Sequence, residues 1–165
     1  MDCRPHRGHR RRAVPAGVLV LVLAAAAWGQ AGAPRIDDMP RIELRVDGRV
    51  YTVRLAATGA HRAAGFQFVP GARMSDEAIY FRYPRPTRPV YHMRNVARPL
   101  LLAWIAPGGR VHEVIRMQPG STGHGPRRPV RAVLEYTADH PLADRVRPGV
   151  TVAPVPQSGA TTSGG

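Results

Sequence analysis

Residues 41–55, with the sequence RIELRVDGRVYTVRL, carry the strongest structural signal in the chain. Polar and apolar residues alternate on both sides of Asp47-Gly48, as in two strands that each bury one face. Asp-Gly between alternating segments is typical of a two-residue hairpin turn, because both turn positions need positive φ. The stretch therefore predicts an antiparallel hairpin whose turn fixes the register. The expected pairs are Val46 with Arg49, Leu44 with Tyr51, and Ile42 with Val53.

Several other segments have the length and composition of short strands. Residues 100–105, LLLAWI, form an unbroken apolar run, which is typical of a deeply buried strand. Residues 83–89 contain three prolines and are expected to form an irregular loop. The remaining expected strands are residues 78–81, 110–117, 131–136 and 149–152.

Helical signals are few. Thr58 can cap a short helix over residues 58–64 that Gly65 ends, and a second short helix is expected over residues 139–146. Many short strands joined by turns predict a mostly β fold, with α+β character minor. We expect a small single-domain, β-barrel-like or curled antiparallel sheet with one or two short helices. Its length allows one modest core.

The first 29 residues have the three parts of a secretory signal peptide. Five arginines precede an apolar run over residues 13–27, and small residues follow at Ala27 and Gly29. The run is shorter than the roughly 20 apolar residues of a permanent membrane helix. We therefore expect cleavage after Gly29, a periplasmic or secreted mature chain, and no stable membrane span after cleavage.

The export signal leaves alternatives open. Cleavage after Ala27 or Ala33, an uncleaved N-terminal anchor, and either the general or the twin-arginine route are compatible with it. The lone Cys3 lies in the signal, so the mature chain has no cysteine for disulfides or thiolate ligands. The predicted organisation is a signal peptide (1–29), a linker (30–40), a β domain (41–153) and a disordered tail (154–165) rich in Pro, Ser, Thr and Gly.

Charge and composition exclude some functions. The chain has 24 basic and 11 acidic residues, a net charge of +13, and every basic residue is arginine. The arginines are scattered, whereas a nucleic-acid interface gathers basic residues with stacking aromatics, so no nucleic-acid partner is expected. The histidines are widely spaced, and the neighbours His112 and Glu113 point to opposite faces of a strand. We expect no metal site and no cofactor.

Residues 91–100, YHMRNVARPL, resemble a motif of the bacterial family called domain of unknown function 192. That family typically has Phe-Trp-Met-Lys-Asn-Thr, then Pro-Leu-Asp and an apolar strand. The resemblance spans roughly residues 42–152 and implies a compact, mostly β, barrel-like fold that is often exported, with no settled activity. Further landmarks follow in the family's order at residues 62–66, 78–81, 133–135 and 149.

The chain departs from the family pattern at several positions. The family's Trp is His92 here, its Lys is Arg94, and its Thr is Val96. The Asp after Pro-Leu is replaced by Leu101, and the Met after Gly-Leu by Gln67. If the family shares a site that contains this Trp and Asp, we expect an altered or inactive version of it in this chain.

The candidate site combines the motif with one strand acid. Arg94 presents a forked donor for a carboxylate or phosphate, or is a solvated strand arginine or a partner of Glu135. Asn95 can bind a ligand or satisfy loop backbone groups. A histidine can act as a general base near neutral pH, which makes His92 and Glu135 the catalytic candidates, although Glu135 also fits a salt bridge to an arginine. The predicted ligand-binding residues are Tyr91, His92, Met93, Arg94, Asn95 and Glu135.

Three functional hypotheses follow. The leading one is an exported binding or accessory module of the cell envelope, whose partner is an unknown small molecule or an envelope protein. The alternative is a small hydrolase or transferase that uses His92 and Glu135, which a pocket holding both side chains would favour. An open polar groove with His92 packed on the core would favour the module. A structural or partner-binding protein is the third, and an exposed apolar patch would be its sign.

Overall fold

The computed structural model describes Met1 and residues 35–156, so the predicted signal peptide and most of the predicted tail lie outside the described residues. The described part contains seven strands, one α-helix and two 3-10 helices. The strands are β1 (Arg41–Val46), β2 (Arg49–Ala56), β3 (Ile79–Thr87), β4 (Leu100–Ile105), β5 (Val111–Met117), β6 (Val130–Tyr136) and β7 (Val152–Pro154); the helices are α1 (Gly59–Ala64) and the 3-10 helices Ile36–Asp38 and Gly71–Asp76. None of these helices is long and apolar enough to cross a membrane.

The seven strands form one curled sheet in the order β5-β4-β6-β3-β2-β1-β7. The prediction of a mostly β fold is therefore confirmed. The sheet is mixed rather than wholly antiparallel, because β2 and β3 run parallel. The chain between them carries α1 and a 3-10 helix and re-enters the sheet in the same direction, as a parallel connection requires. The sheet does not close into a barrel.

The predicted hairpin is confirmed in register. β1 and β2 pair Val46 with Arg49 and Leu44 with Tyr51, and the same register continues to Ile42 and Val53. The turn residues have φ values of 48° and 78°. A side chain with φ near 50° is tolerated at Asp47 because Asp adopts the left-handed region more readily than most residues.

Buried apolar side chains lie on both faces of the sheet rather than in the single core expected. The apolar run of β4 supplies both: Leu102 and Trp104 point to one face, Ala103 and Ile105 to the other. We call the first the helix-side cluster, since Ala64 of α1 packs there. We call the second the hairpin-side cluster, whose members include Leu44, Val53, Leu134, Leu142 and Val146.

β3 corrects the expectation of an irregular loop over residues 83–89, because the strand continues to Thr87 through Pro84 and Pro86. Its pairing with β6 shifts register between Arg82 and Thr87. The prolines lie inside that interruption, where no ladder hydrogen bond needs their missing N–H groups.

The two helix predictions have different outcomes. α1 is confirmed: the Thr58 hydroxyl accepts the His61 backbone N–H at 3.0 Å, and Gly65 ends the helix with φ 50°. The second predicted helix is wrong, since residues 138–145 form turns. The His140 ring accepts the Leu142 N–H at 3.1 Å, and such local side-chain bonds compete with helix formation.

The ends of the domain reach beyond the predicted boundaries. Ile36 and Met39, both in the predicted linker, are 3% and 2% exposed and belong to the helix-side cluster. At the other end, the Val155 N–H donates to the Glu43 carbonyl at 2.9 Å. Residues 35–40 and 154–155 therefore pack as part of the domain.

Candidate functional site

A cavity of about 260 Å³ lies on the helix-side face of the sheet. Its lining comes from residues 62–67, which span the end of α1 and the chain just after it, and from residues 90–93 at the start of the family-like motif. β3, β4 and β6 supply the floor. The cavity therefore brings together segments that are far apart in the chain, and the sheet holds them in place.

Glu135 is the acid at the floor of this cavity. It sits in β6 near the centre of the sheet, opposite Ile79 of β3 and Leu102 of β4. Residue 135 is 4% exposed, and burial alone raises its pKa to about 8. Within residues 35–156 no ion pair and no hydrogen bond stabilises its carboxylate, which accounts for the direction of the shift.

Aromatic rings form one wall. The Tyr91 ring packs edge-on against Phe81, with centroids 5.3 Å apart, and against Trp104 at 5.6 Å. The hydroxyls of Tyr83 and Tyr91 are 2.8 Å apart and share a hydrogen bond. Burial raises the pKa of both phenols, and the nearby carboxyl of Glu135 raises them further. Both tyrosines are therefore neutral donors and acceptors at physiological pH.

Arg62 lies at the rim without reaching the acid. Its guanidinium carbon stands 5.2 Å from the centroid of the Tyr83 ring. Its Nη1 donates to the carbonyls of Ala57 at 2.6 Å and Arg82 at 3.2 Å. These bonds hold the cation over the aromatic face, so it forms no ion pair with Glu135.

Gly65 forms part of the roof. A Cβ placed on it would lie 3.7 Å from Cζ of Phe81 and 3.8 Å from Oε2 of Glu135. These are ordinary contact distances, so the requirement for glycine comes from its φ of 50°. The backbone of the helix end thereby packs directly over the carboxyl group.

The loop over residues 118–125 fixes the motif. Tyr91 and His124 exchange backbone hydrogen bonds of 2.8 and 3.1 Å, and the Met93 N–H donates to Ser121 at 2.7 Å. The Ser121 hydroxyl in turn bonds Nε2 of His124 at 2.7 Å. This Gly-rich loop is thus a backbone partner of residues 91–93.

The structure gathers four of the six predicted site residues. Tyr91, His92, Met93 and Glu135 line the cavity, and Met93 is buried beneath it. Arg94 and Asn95 are exposed and lie outside the lining. Arg94 forms no ion pair with Glu135, so the salt-bridge alternative considered for that acid is not the arrangement found within the described residues.

Asn95 and His92 have local backbone roles. Asn95 adopts φ 59°, and its carbonyl accepts the N–H of Phe68, which itself has φ 61°. Its amide reaches the Gln67 side chain at 3.4 Å. Nδ1 of His92 accepts the backbone N–H of Arg94 at 3.3 Å, so the neutral ring carries its proton on Nε2.

Sequence reasoning missed several lining residues. Arg62, Gly65 and Phe66 were recognised as a family landmark, and Phe81 as part of a strand, without being connected to the site. Tyr83 was assigned to a proline-rich loop. The available signal was the order of the family landmarks along the chain. Segments that recur together in the members of one family often lie close together in the fold. Among residues 35–156 the structure gathers no group of three or more His, Cys, Asp or Glu side chains that could hold a metal.

Comparison with known proteins identifies the family. The model of DUF192, described as Uncharacterized ACR, matches residues 42–153. The chain therefore belongs to this family, as the landmark order predicted. No curated protein matches the chain with comparable significance.

Two crystal structures share the fold. One is of a proposed transcription regulator from Sinorhizobium meliloti 1021, with 24% identity, a TM-score of 0.61, and coverage of 70% of this chain and 95% of that one. The other is of a protein of unknown function from Novosphingobium aromaticivorans DSM 12444, with 26% identity, a TM-score of 0.59, and coverage of 72% and 88%.

Proposed function

We propose that this DUF192 member is an exported binding module of the cell envelope that holds a small molecule in the cavity above Glu135. One observation carries the binding part of the proposal: Glu135, a residue that is only 4% exposed, lines a cavity, and its carboxyl group has no partner among the described residues. A buried acid without a partner costs folding free energy. A site that accepts a ligand gives a reason for that cost. Export rests on the charged, apolar and small-residue parts of residues 1–29.

The cavity sets the size of the ligand. Pockets for drug-sized molecules usually have volumes of about 300–1,000 Å³, and this one is about 260 Å³. The ligand is therefore a small metabolite or one end group of a larger molecule. The aromatic wall and the few polar groups, namely Glu135, the two tyrosine hydroxyls and Arg62, match the usual composition of such sites.

A ligand screen tests the binding proposal. Thermal unfolding of the full chain would be measured against small cationic, neutral and anionic metabolites. Hits should raise the unfolding temperature of the wild type and lose their effect in Tyr91→Ala, which removes one cavity wall. Tyr51→Ala is the matched control, because Tyr51 is half-buried against the hairpin-side cluster. Absence of any hit, or hits that survive Tyr91→Ala, would refute binding in this cavity.

Cell fractionation tests the export proposal separately. The chain with a C-terminal tag should be recovered from the periplasm or medium, with a mature N-terminus near Gln30. A cytoplasmic protein that retains Met1 would refute export. A membrane-associated protein that retains Met1 would identify the uncleaved anchor instead.

The hydrolase or transferase alternative has one observation in its favour, since His92 and Glu135 line the same cavity. The hydrogen bond from Arg94 to Nδ1 leaves the neutral His92 ring with a protonated Nε2, which is a donor and not a base. Glu135 at neutral pH is largely protonated and could serve as an acid. If the protein turns over ester or phosphate substrates and His92→Asn abolishes that turnover, the enzyme hypothesis is established. If His92→Asn leaves the turnover intact, an enzyme that uses His92 is excluded.

A further inference from the structure

Glu135 lacks the one kind of partner that a buried carboxylate normally has. Charged side chains are almost never fully buried unless they are paired. The nearest lining cation, Arg62, is bound to two backbone carbonyls and lies over Tyr83. The rest of the lining offers aromatic rings, aliphatic side chains and tyrosine hydroxyls. Residues 35–156 therefore supply no counter-charge for the ionised form of Glu135, and a bound cation would supply one.

The walls of the cavity suit a positive group. Four of the ten aromatic residues of the chain line it. Ring faces attract cations, and the attraction grows when the site is desolvated. The position of Arg62 over the Tyr83 ring shows that this wall already accepts a cation at its rim. The lining aromatics are Phe66, Phe81, Tyr83 and Tyr91.

We infer that the cavity binds a small organic ammonium ion, whose N–H groups donate to the Glu135 carboxylate while its alkyl part packs on the aromatic wall. This inference rests on the proposed function and specifies the chemical class of its ligand. A charge-assisted hydrogen bond is stronger than a neutral one. The hydroxyls of Tyr83 and Tyr91 supply acceptors for the remaining N–H groups.

An anionic ligand fits this floor less well. A carboxylate or phosphate placed over Glu135 would meet either a like charge or a single acid proton. The guanidinium that could have offset that repulsion is fixed over Tyr83. The geometry therefore favours a cation at the floor, whatever the positive net charge of the chain as a whole.

Three probes of one shape test the inference. n-Butylammonium, 1-butanol and butyrate are all unbranched four-carbon molecules of similar size that differ in charge. Each would be titrated into the full chain, and binding would be followed by calorimetry and by the carboxyl ¹³C resonance of Glu135. n-Butylammonium should bind at least tenfold more tightly than the other two and should shift the Glu135 resonance. Glu135→Gln should abolish that preference, whereas Glu43→Gln, on the exposed face of β1, should keep it.

Proton release provides a second readout. An ammonium ion binds the ionised acid, so binding below pH about 8 should release about one proton and strengthen about tenfold per pH unit, then level off above pH about 8. Calorimetry in buffers of different ionisation enthalpy measures the released proton. Proton uptake, or affinity that does not depend on pH, would overturn the inference.

The outcomes separate the two proposals. Tighter binding of 1-butanol or butyrate, with a shift at Glu135, overturns the ammonium inference and leaves the binding module intact. If none of the three probes shifts the Glu135 resonance, the ammonium inference is also overturned. The wider metabolite screen alone then decides whether the cavity binds a small molecule. Equal binding of n-butylammonium to wild type and Glu135→Gln would place the cation elsewhere and reject the inference.

Discussion

Glu135 gives the stability of this protein a defined pH dependence. Its folded pKa is about 8, whereas an unfolded Glu titrates near pH 4.3. Between these values the folded state holds a proton that the unfolded chain releases, so the free energy of unfolding falls as pH rises. The stabilisation is complete below the unfolded pKa and is lost through pH about 8, with a limiting slope of about 1.4 kcal/mol per pH unit.

We expect Glu135→Gln to remove this slope, because the amide keeps the shape of the acid and cannot ionise. Urea unfolding of both proteins from about pH 5 to about pH 9 measures the effect. The variant should be the more stable protein above pH about 8, and the difference should shrink toward acid. Parallel curves for the two proteins would contradict a raised pKa, and Glu43→Gln should follow the wild type throughout.

Asn95 illustrates a motif residue with a conformational role. Its φ of 59° lies in the left-handed region, which Gly adopts freely and Ala adopts at a cost of roughly 1 kcal/mol. Asn95→Gly should therefore leave stability nearly unchanged, whereas Asn95→Ala should lower it by about 1 kcal/mol. Neither should change ligand affinity, because Asn95 lies outside the cavity lining. Lost affinity in both variants at unchanged stability would make Asn95 a ligand contact instead.

The sequence predicted part of the site because His92 and Glu135 belong to recognisable segments. It could not predict that Glu135 lacks an arginine partner in a chain so rich in arginine. That outcome depends on where β3 and α1 place the guanidinium of Arg62, which is bound by backbone carbonyls. The tertiary fold sets the direction of the Arg62 side chain relative to Glu135. No local pattern in the sequence indicates that direction.

Among the secondary-structure elements, a charged cluster ties the N-terminal 3-10 helix and the second 3-10 helix to β2. Arg54, 8% exposed, donates to both oxygens of Glu77 at 3.0 Å. Arg73 bonds Glu77 at 3.1 Å and Asp37 at 2.9 Å. The Arg54 Nη1 also donates to the Met39 carbonyl at 3.2 Å. The cluster holds residues 36–39 against the sheet, next to the elements that cover the cavity.

Replacing Glu77 should destabilise the domain strongly. Glu77→Gln takes from the buried Arg54 the carboxylate at 3.0 Å and leaves it only the more distant Asp37, at 3.5 Å. Breaking a buried pair in this way costs about 3 kcal/mol. Asp76→Asn, at the exposed neighbouring position, should cost little. Urea unfolding at neutral pH compares the two. A Glu77→Gln protein as stable as Asp76→Asn would show that the buried pair makes no net contribution.

The same cluster makes the free energy of unfolding fall at acid pH. Burial tends to raise the pKa of Glu77, but hydrogen bonds from Arg54 and Arg73 outweigh it and lower that pKa below its ordinary value. The stabilisation is therefore present above the unfolded pKa and is lost as pH falls through the folded one. Glu77 and Glu135 thus limit stability from opposite ends of the pH range.

Local patterns predicted the elements in which several sequence signals agree. The β1–β2 hairpin and the LLLAWI strand were correct because alternation, turn chemistry and apolar composition all agree there. β3 was cut short because Pro84 and Pro86 suggest a loop, and the register shift that accommodates them arises from its pairing with β6. The helix expected over residues 139–146 was overridden by the side chain of His140.

For the whole molecule, the two edge strands approach each other without closing the sheet. Arg110, just before β5, and Thr151, just before β7, form an isolated bridge. The Val152 N–H donates to Gly109 at 2.8 Å, and the Val111 N–H donates to Val150 at 2.8 Å. This junction bounds the hairpin-side cluster, so the curl of the sheet is held at one end by a few backbone bonds. No local pattern in the sequence indicated this junction.

Gly109 is the position where a side chain would open this junction. A Cβ there would lie 2.9 Å from the Val152 carbonyl oxygen, on a residue with φ 81°. Gly109→Ala must therefore separate the edges, and we expect a loss of about 2 kcal/mol or more, since strain and lost backbone bonds add. Hydrogen exchange of the Val111 and Val152 amides should accelerate in the same variant.

Alanine substitutions at two other glycines of the same region separate the effect of positive φ from the effect of the Cβ contact. Gly149→Ala tests positive φ alone, because Gly149 has φ 94° and open space around its Cβ position. Gly108→Ala tests neither effect, since its Cβ position is open and its φ is not positive. We expect the order of destabilisation Gly109→Ala, Gly149→Ala, Gly108→Ala. If the first two are equal and amide exchange at Val111 and Val152 is unchanged, the bridge between the edges contributes nothing to the curl, and the hairpin-side cluster alone holds the sheet.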